Sequence, residues 1–239
     1  MHRLALLLAA ALPVLAPPAA AQDAISTDRP GFSTGPDTVG RGATQAELGF
    51  EWNPDAEEVS LPFALLRHGI GEATEVRVTW NGVATGAGDT RGLGGAVEVK
   101  HTIREGEGAS PTLGLLVGVA IPADGGPVDP SAGFLWSSSL GPSWTLFGTA
   151  TLAAPSDEGE RQLVGTNAVG VSRALGDRAG LFLEHFVSVT EGGGDETQVL
   201  DGGLTYLVSD DLQLDVSGGV SVGSADAGGF VGAGLSYRF

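Results

Sequence analysis

The sequence predicts an all-β protein, a transmembrane antiparallel up-and-down β-barrel of about 12 strands. Three observations predict this fold: a secretory signal at the N-terminus, apolar and polar residues that alternate with a period of two, and a last strand that ends on the aromatic residue Phe239. A sheet in lipid must close on itself, because no water is present to satisfy an open edge. Its lipid-facing side chains are then apolar, and the polar ones line the lumen.

The first 21 residues have the organisation of a signal peptide. Met1–Arg3 is a short basic segment, Leu4–Ala16 is apolar, and Ala19–Ala21 is a cleavage site of the A-x-A type. The apolar run is too short to span a membrane as a helix, and Pro13 interrupts it. We therefore expect residues 1–21 to be removed from an exported protein.

The composition excludes several classes of protein. The formal net charge is −17, and it becomes −18 when Arg3 leaves with the signal peptide, so nucleic acid is not an expected partner. The chain has no cysteine, which excludes disulfides and thiolate metal sites. The 39 glycines suit a β-protein with many turns and crowded, small interior positions.

We expect residues 22–42 to form an N-terminal periplasmic or plug segment and residues 43–239 to form the barrel. Most of the alternating segments are near ten residues, the length that a tilted membrane strand requires. The expected strands are 43–52, 59–69, 73–80, 93–103, 111–121, 132–141, 143–152, 162–174, 179–189, 197–208, 211–221 and 229–239.

Alternation is clear in most of these strands, as where Leu214 and Val216 flank Asp215. It is blurred over 59–69, 132–141 and 162–174, so the facing of these three strands stays open.

The gaps between strands alternate between short turns and longer loops. The longer loops contain thirteen acidic and two basic residues, and we place them outside the cell and the short turns in the periplasm. These loops are 53–58, 81–92, 122–131, 153–161, 190–196 and 222–228.

Aromatic residues lie near both ends of the expected strands. Trp52 and Trp80 lie at the outer ends, and the periplasmic ends carry Trp144, Tyr206, Tyr237 and Phe239. Such positions are typical of the aromatic girdles at a membrane surface. We therefore expect the outer membrane of a Gram-negative bacterium, with outer-membrane lipid, lipopolysaccharide and the barrel assembly machinery as partners.

Three stretches resemble a known family. They are Ile25-Ser26-Thr27-Asp28-Arg29-Pro30-Gly31-Phe32, Leu66-Arg67-His68-Gly69-Ile70 and Leu181-Phe182-Leu183-Glu184-His185. Together they resemble the family named for the MetA pathway of phenol degradation, and the resemblance covers essentially the whole mature chain. It implies an outer-membrane transporter-like barrel and suggests transport of small compounds, including aromatic ones.

The polar face of the strands presents a set of charged residues to the expected lumen. Opposite charges on neighbouring strands would brace the barrel, and the same charges could also line a polar path for a small-molecule solute. Twelve strands predict a narrow pore. The residues of this face are Glu47, Glu51, Glu75, Arg77, Glu98, Lys100, Glu184, Asp201, Asp215 and Arg238.

Residues 22–42 are too rich in glycine and proline for a regular strand. They are either a periplasmic tail or a plug that folds into the lumen, with Asp28, Arg29 and Pro30 as its central residues. Pro30 keeps Arg29 extended, and we expect the guanidinium to pair with a carboxylate such as Glu47 or Glu184.

An enzyme is not expected. His68, His101 and His185 are the histidines that survive removal of the signal peptide, and none lies in a hydrolase motif. We therefore predict no catalytic residues, no cofactor and no dedicated metal site, although divalent cations could bridge the acidic loops to lipopolysaccharide phosphates.

The sequence favours a channel for passive passage of a small hydrophilic or amphipathic solute, aromatic solutes included. Two alternatives stay open: a structural or surface-interaction barrel with a blocked lumen, and an outer-membrane lipid-modifying enzyme.

Overall fold

The computed structural model describes residues 24–157, 160–193, 196–223 and 228–239. The predicted signal peptide lies outside these residues, as do three of the loop acids, Glu158, Asp195 and Asp226. The described residues form sixteen strands, and among them no helix is long and apolar enough to cross a membrane.

The strands follow one another along the chain. They are β1 Thr44–Asn53, β2 Glu58–Gly69, β3 Thr74–Trp80, β4 Val83–Gly86, β5 Asp89–Gly92, β6 Gly95–Arg104, β7 Thr112–Ile121, β8 Asp129–Ser139, β9 Trp144–Ala153, β10 Ser156–Asp157, β11 Glu160–Arg161, β12 Val164–Leu175, β13 Ala179–Thr190, β14 Glu196–Ser209, β15 Leu212–Ser221 and β16 Gly229–Arg238.

Twelve of these strands form a closed antiparallel barrel, in which β1 pairs with both β2 and β16. At the closure Gln45 lies opposite Arg238, and the Phe239 N–H donates to the Thr44 carbonyl at 2.8 Å. Because the two ends of the sheet are joined, no edge remains to be satisfied. The predicted fold class and strand number are confirmed, and each predicted strand overlaps one strand of the barrel.

The outer loop predicted over 81–92 contains a hairpin that the sequence analysis did not predict. Strand β4 pairs with the first four residues of β2, and β5 pairs with β4. The turn is Ala87-Gly88, with φ angles of 49° and 87°, and two consecutive positive φ angles match the twist of a two-residue hairpin. A second, two-residue ladder, β10–β11, lies in the loop predicted over 153–161.

The distribution of side chains is the reverse of that in a soluble protein. Glu47, Arg67 and Lys100 are 0% exposed, whereas Leu204 and Val216 are more than half exposed on the outer surface. Exposed apolar residues cover the outside of the strands, and this is stable only where the outside is lipid. The chain is therefore a membrane-spanning β-barrel with a polar interior.

The facing of the three uncertain strands is now clear. Leu135 is fully buried toward the lumen and its neighbour Phe134 is exposed to lipid. Leu135 pairs with Gly114, where an added Cβ would lie 3.2 Å from Pro36 of the N-terminal segment. The lumen wall is apolar here because it packs against that segment and not against water, and this blurs the alternation. Leu65 and Ala168 likewise face inward, with Leu66 and Val169 exposed beside them.

Candidate functional site in the barrel lumen

Residues 24–42 lie inside the barrel, and we call this segment the plug. Near its start the Ile25 N–H donates to the Asp210 carbonyl in a periplasmic turn, at 2.7 Å. At its end the Gly42 N–H donates to the Gly69 carbonyl at the periplasmic end of β2, at 2.8 Å. The segment therefore rises from the periplasmic rim, turns inside the lumen and returns to that rim before β1 begins.

The rising part of the plug is held by two carboxylates. The N–H groups of Asp28 and Arg29 both donate to Glu47, at 3.1 and 3.0 Å. The Arg29 guanidinium pairs with Asp215 at 2.9 Å, and not with Glu47 or Glu184 as the sequence suggested. The Arg29 N–H points toward Glu47 on β1. The Arg29 side chain extends away from Glu47, to Asp215 on β15.

The guanidinium of Arg29 lies in a slot between two glycines. Gly49 of β1 is opposite Gly234 of β16, and a Cβ on either residue would overlap the guanidinium. The Phe63 ring lies beside the same cation, with its centroid 5.7 Å from the guanidinium carbon. The two glycines thus create the space that lets the plug approach the barrel wall.

The apex of the plug surrounds a third carboxylate. Gly31 has a φ of +103°, and the N–H groups of Phe32 and Ser33 donate to Glu184 at 2.7 and 3.1 Å. Consecutive backbone N–H groups that converge on an anion form an anion-binding nest. Glu184 therefore holds the apex through the backbone alone.

The descending part returns along the opposite wall. The Thr149 hydroxyl accepts from the Thr34 N–H and donates to the Thr34 carbonyl, both at 2.9 Å. The Val39 N–H then donates to Glu75 at 2.9 Å. Polar residues of the lumen wall thus bind the irregular backbone of the plug in its rising part, at its apex and in its descending part.

Asp28 is the electrostatic centre of the plug. Its carboxylate lies 2.5 Å from Arg77, 3.1 Å from Lys100 and 3.5 Å from Arg67. Burial alone would raise the pKa of Asp28, but Arg67, Lys100 and Arg77 outweigh it and hold the pKa well below its usual range. Asp28 is therefore ionised in the folded protein and neutralises cations of the lumen wall.

Arg67 connects the wall charges, and sequence reasoning missed it. It is fully buried and pairs with Glu47 at 3.0 Å and with Glu75 at 2.9 Å. Its strand, predicted over 59–69, is one of the three with blurred alternation, so the sequence did not place Arg67 on the lumen face. Arg67 lies two residues after Leu65 and two residues before Gly69, and residues at this spacing share one face of a strand. This spacing was the signal that could have placed Arg67 on the lumen face.

The other predicted lumen residues also lie on the inner face, though not in one cluster. Glu98 pairs with Arg77 at 3.2 Å. Arg238 pairs with Asp211 at 2.7 Å at the periplasmic end, well below the plug apex. Asp201 is 2% exposed on β14, directly opposite Glu184 of β13.

The apex separates two cavities. The outer vestibule, about 450 Å³, lies toward the longer loops, which we place outside the cell, and includes Arg29, Phe32, Glu51 and Arg77 in its lining. The periplasmic vestibule, about 360 Å³, includes Ile25, Phe182 and Gln213 in its lining.

Aromatic rings gather around the apex. Phe32 stacks on Phe186 with ring centroids 4.4 Å apart and meets Phe230 edge-on at 6.0 Å. Below them, a Cβ on Gly31 would lie 3.1 Å from the Phe182 ring, which lines the periplasmic vestibule. The sequence did not predict this cluster, because its rings come from the plug, β13 and β16.

The three histidines lie on the outer face of the barrel. His68 and His101 bind the hydroxyls of Thr44 and Thr74, both at 2.9 Å, and His185 binds the Gln198 amide at 3.1 Å. The side chains that these histidines contact are thus two threonines and a glutamine.

Comparison with known proteins agrees with this architecture. The family described as "Putative MetA-pathway of phenol degradation" matches residues 27–239. The chain belongs to this family. The match begins at Thr27, within the plug, so the family pattern includes both the barrel and most of the plug.

Solved structures share the fold of this family member at low sequence identity. A NanC porin has a TM-score of 0.65 and 9% identity, over 81% of this chain and 100% of that one. The COG4313 outer membrane channel from Pseudomonas putida F1 has a TM-score of 0.60 and 13% identity, over 85% and 97%. A KdgM porin has a TM-score of 0.55 and 10% identity, over 82% and 99%. No curated protein sequence matches the chain.

Proposed function

We propose that the protein is a narrow outer-membrane channel that passes a small hydrophilic or amphipathic solute by diffusion, with the plug as its constriction. The observation that carries this proposal is the pair of vestibules on either side of the plug apex. The apex is held by hydrogen bonds to Glu184, and the rising segment by Glu47 and an ion pair to Asp215. Such contacts can exchange with water, which is compatible with movement of the plug.

The outer vestibule suggests the character of the solute. Phe32, Phe63 and Phe230 border it together with Arg29 and Arg77. Apolar rings beside a few fixed polar groups are typical of pockets for small organic molecules. This lining supports a solute with a flat apolar or aromatic part and a polar group, and the porin and channel names of the structural neighbours support passive passage.

Deletion of residues 22–36 from the mature protein tests the constriction. We expect single-channel conductance in planar bilayers to rise clearly above that of the intact protein, because the apex and its contacts to Glu184 and Asp215 are lost. Arg29→Ala should raise conductance in part. Arg41→Ala is the matched control, since Arg41 belongs to the plug but pairs with exposed Glu72 at the periplasmic rim.

A second candidate function is a structural or surface-interaction barrel whose lumen stays blocked, and the close fit of the plug favours it. Liposome swelling separates the two functions. Swelling by small sugars, amino acids or aromatic acids with the intact protein supports the channel. A deletion variant that folds but conducts like the intact protein would contradict the assignment of the plug as the constriction.

A further inference from the structure

Two buried carboxylates of the lumen have no basic partner. Glu184 and Asp201 lie directly opposite each other on β13 and β14, and like charges in this position repel. Neither forms an ion pair among the described residues. The other acids that hold the plug or brace the wall all pair with arginine or lysine: Asp28, Glu47, Glu75, Glu98 and Asp215.

Asp201 is the less satisfied member of the pair. It is 2% exposed, and neither of its carboxylate oxygens has a hydrogen-bond partner among the described residues. Protonation would remove the charge and could direct the new O–H to Glu184, but it would leave the second carboxylate oxygen of Asp201 buried without a donor. A cation that takes several oxygen ligands would neutralise the charge and satisfy the oxygens together.

Further unpartnered oxygens lie near this pair. The Ser33 hydroxyl is buried and has no hydrogen-bond partner in the described part of the chain, and the N–H of the same residue donates to Glu184. The Ser221 hydroxyl on β15 is likewise buried, and no described residue binds it. Ser221 pairs with Val199, two residues before Asp201, so it lies diagonally across from Asp201 on the lumen face.

We propose that Glu184, Asp201, Ser33 and Ser221 bind a small hard cation of the Ca²⁺ type. An all-oxygen ligand set with two carboxylates suits such an ion, with water as the remaining ligands. The described residues contain no group of three or more acidic, histidine or cysteine ligands, so the affinity is weak, with a Kd on the order of 10⁻⁴–10⁻³ M.

The site joins two parts of the molecule. Ser33 belongs to the plug apex, and the two carboxylates and Ser221 belong to the wall. The cation therefore fastens the apex to β13, β14 and β15. This inference concerns how the plug is seated and does not depend on the passage of any solute.

Calcium titration of the mature protein tests the site. The protein is purified in a non-ionic detergent without lipopolysaccharide, stripped with a chelator, and titrated with CaCl₂ by calorimetry. We expect Asp201→Asn to weaken the tightest binding step by about tenfold or more, because it removes one of two charged ligands. Asp89→Asn is the matched control: Asp89 is exposed in the β4–β5 hairpin, and its loss should leave that step unchanged.

Ser33→Ala provides a second variant that leaves the barrel wall intact. It should weaken calcium binding by a smaller factor while the barrel keeps its heat-modifiable migration. Equal isotherms for the intact protein and Asp201→Asn would place calcium at the acidic loops and overturn the proposal. Absence of calcium uptake up to about 10 mM would also overturn it and would leave a proton as the neutralising ligand.

Discussion

At the residue scale, the lumen carboxylates bind the plug in two different ways. Asp215 pairs with the Arg29 side chain, whereas Glu47 and Glu184 accept backbone N–H groups. Backbone recognition depends on the path of the chain and not on the identity of its side chains. Within the Thr-Asp-Arg-Pro tetrad, the side chains of Asp28 and Arg29 form ion pairs with the lumen wall. The identity of the residue therefore matters at these two positions.

The slot around Arg29 gives a test at one residue. Gly49→Ala would put a methyl group into the guanidinium position, so we expect Arg29 to leave Asp215 and conductance in planar bilayers to rise. Gly165→Ala is the control, because a Cβ on that residue meets nothing within 4 Å. Equal conductance in the two variants would show that the slot does not position the plug.

Asp28 gives a test of pH dependence. Its pKa is lowered in the folded protein, so its anchoring contribution is present above the usual carboxyl pKa near 4 and is lost only as the pH falls below that range. Asp28→Asn leaves buried cations without their anion, and we expect it to destabilise the seated plug by about 3–5 kcal/mol. The conductance difference between this variant and the intact protein should persist from pH 7 to about pH 4. A difference that disappears near pH 4 would mean that Asp28 titrates normally.

At the scale of the strands, the alternation of apolar and polar residues depends on what each face of the strand contacts. Strand β15 alternates clearly because one face meets lipid and the other a polar lumen. In β2, β8 and β12 parts of the lumen face are apolar. In β8, Leu135 pairs with Gly114, and Gly114 lies close to Pro36 of the plug, so at this point the blurred pattern accompanies a lumen that the plug occupies.

Neighbouring residues of β15 test this facing. Val216 is 51% exposed to lipid, and Ser217 lines the outer vestibule. Val216→Arg should destabilise the folded barrel by about 2–4 kcal/mol, because a charge near the bilayer midplane is costly. Ser217→Arg should cost well under half as much in a urea unfolding titration in lipid vesicles. Equal costs would mean that the strand register is wrong by one residue.

At the scale of the whole molecule, the barrel depends on the contact between its first and last strands. Strand β16 pairs with β1 over eight residue pairs, and the Phe239 backbone extends this contact to Thr44. The Phe239 ring meets Tyr237 edge-on at 5.0 Å and is 68% exposed at the end of the barrel that carries the short turns. We propose that this exposed aromatic takes part in assembly of the barrel.

Deletion of Phe239 tests this role. We expect a lower yield of heat-modifiable barrel in the outer membrane, because both the aromatic end and the hydrogen bond to Thr44 are lost. Phe239→Trp keeps the backbone contact and an aromatic ring, and it should assemble normally. Normal assembly of the deletion variant would show that the terminal residue does not take part in assembly.

The sequence by itself determined the barrel, its twelve strands and the lipid face of the clearly alternating strands, because a period of two is local and depends on the solvent on each side. It also placed the predicted charged residues on the inner face. The tertiary structure decided which of these residues meet: Arg29 with Asp215, Arg67 with two acids, and Glu184 opposite Asp201. These partners depend on strand register accumulated around a closed sheet and on the path of an irregular plug, and no local pattern encodes either.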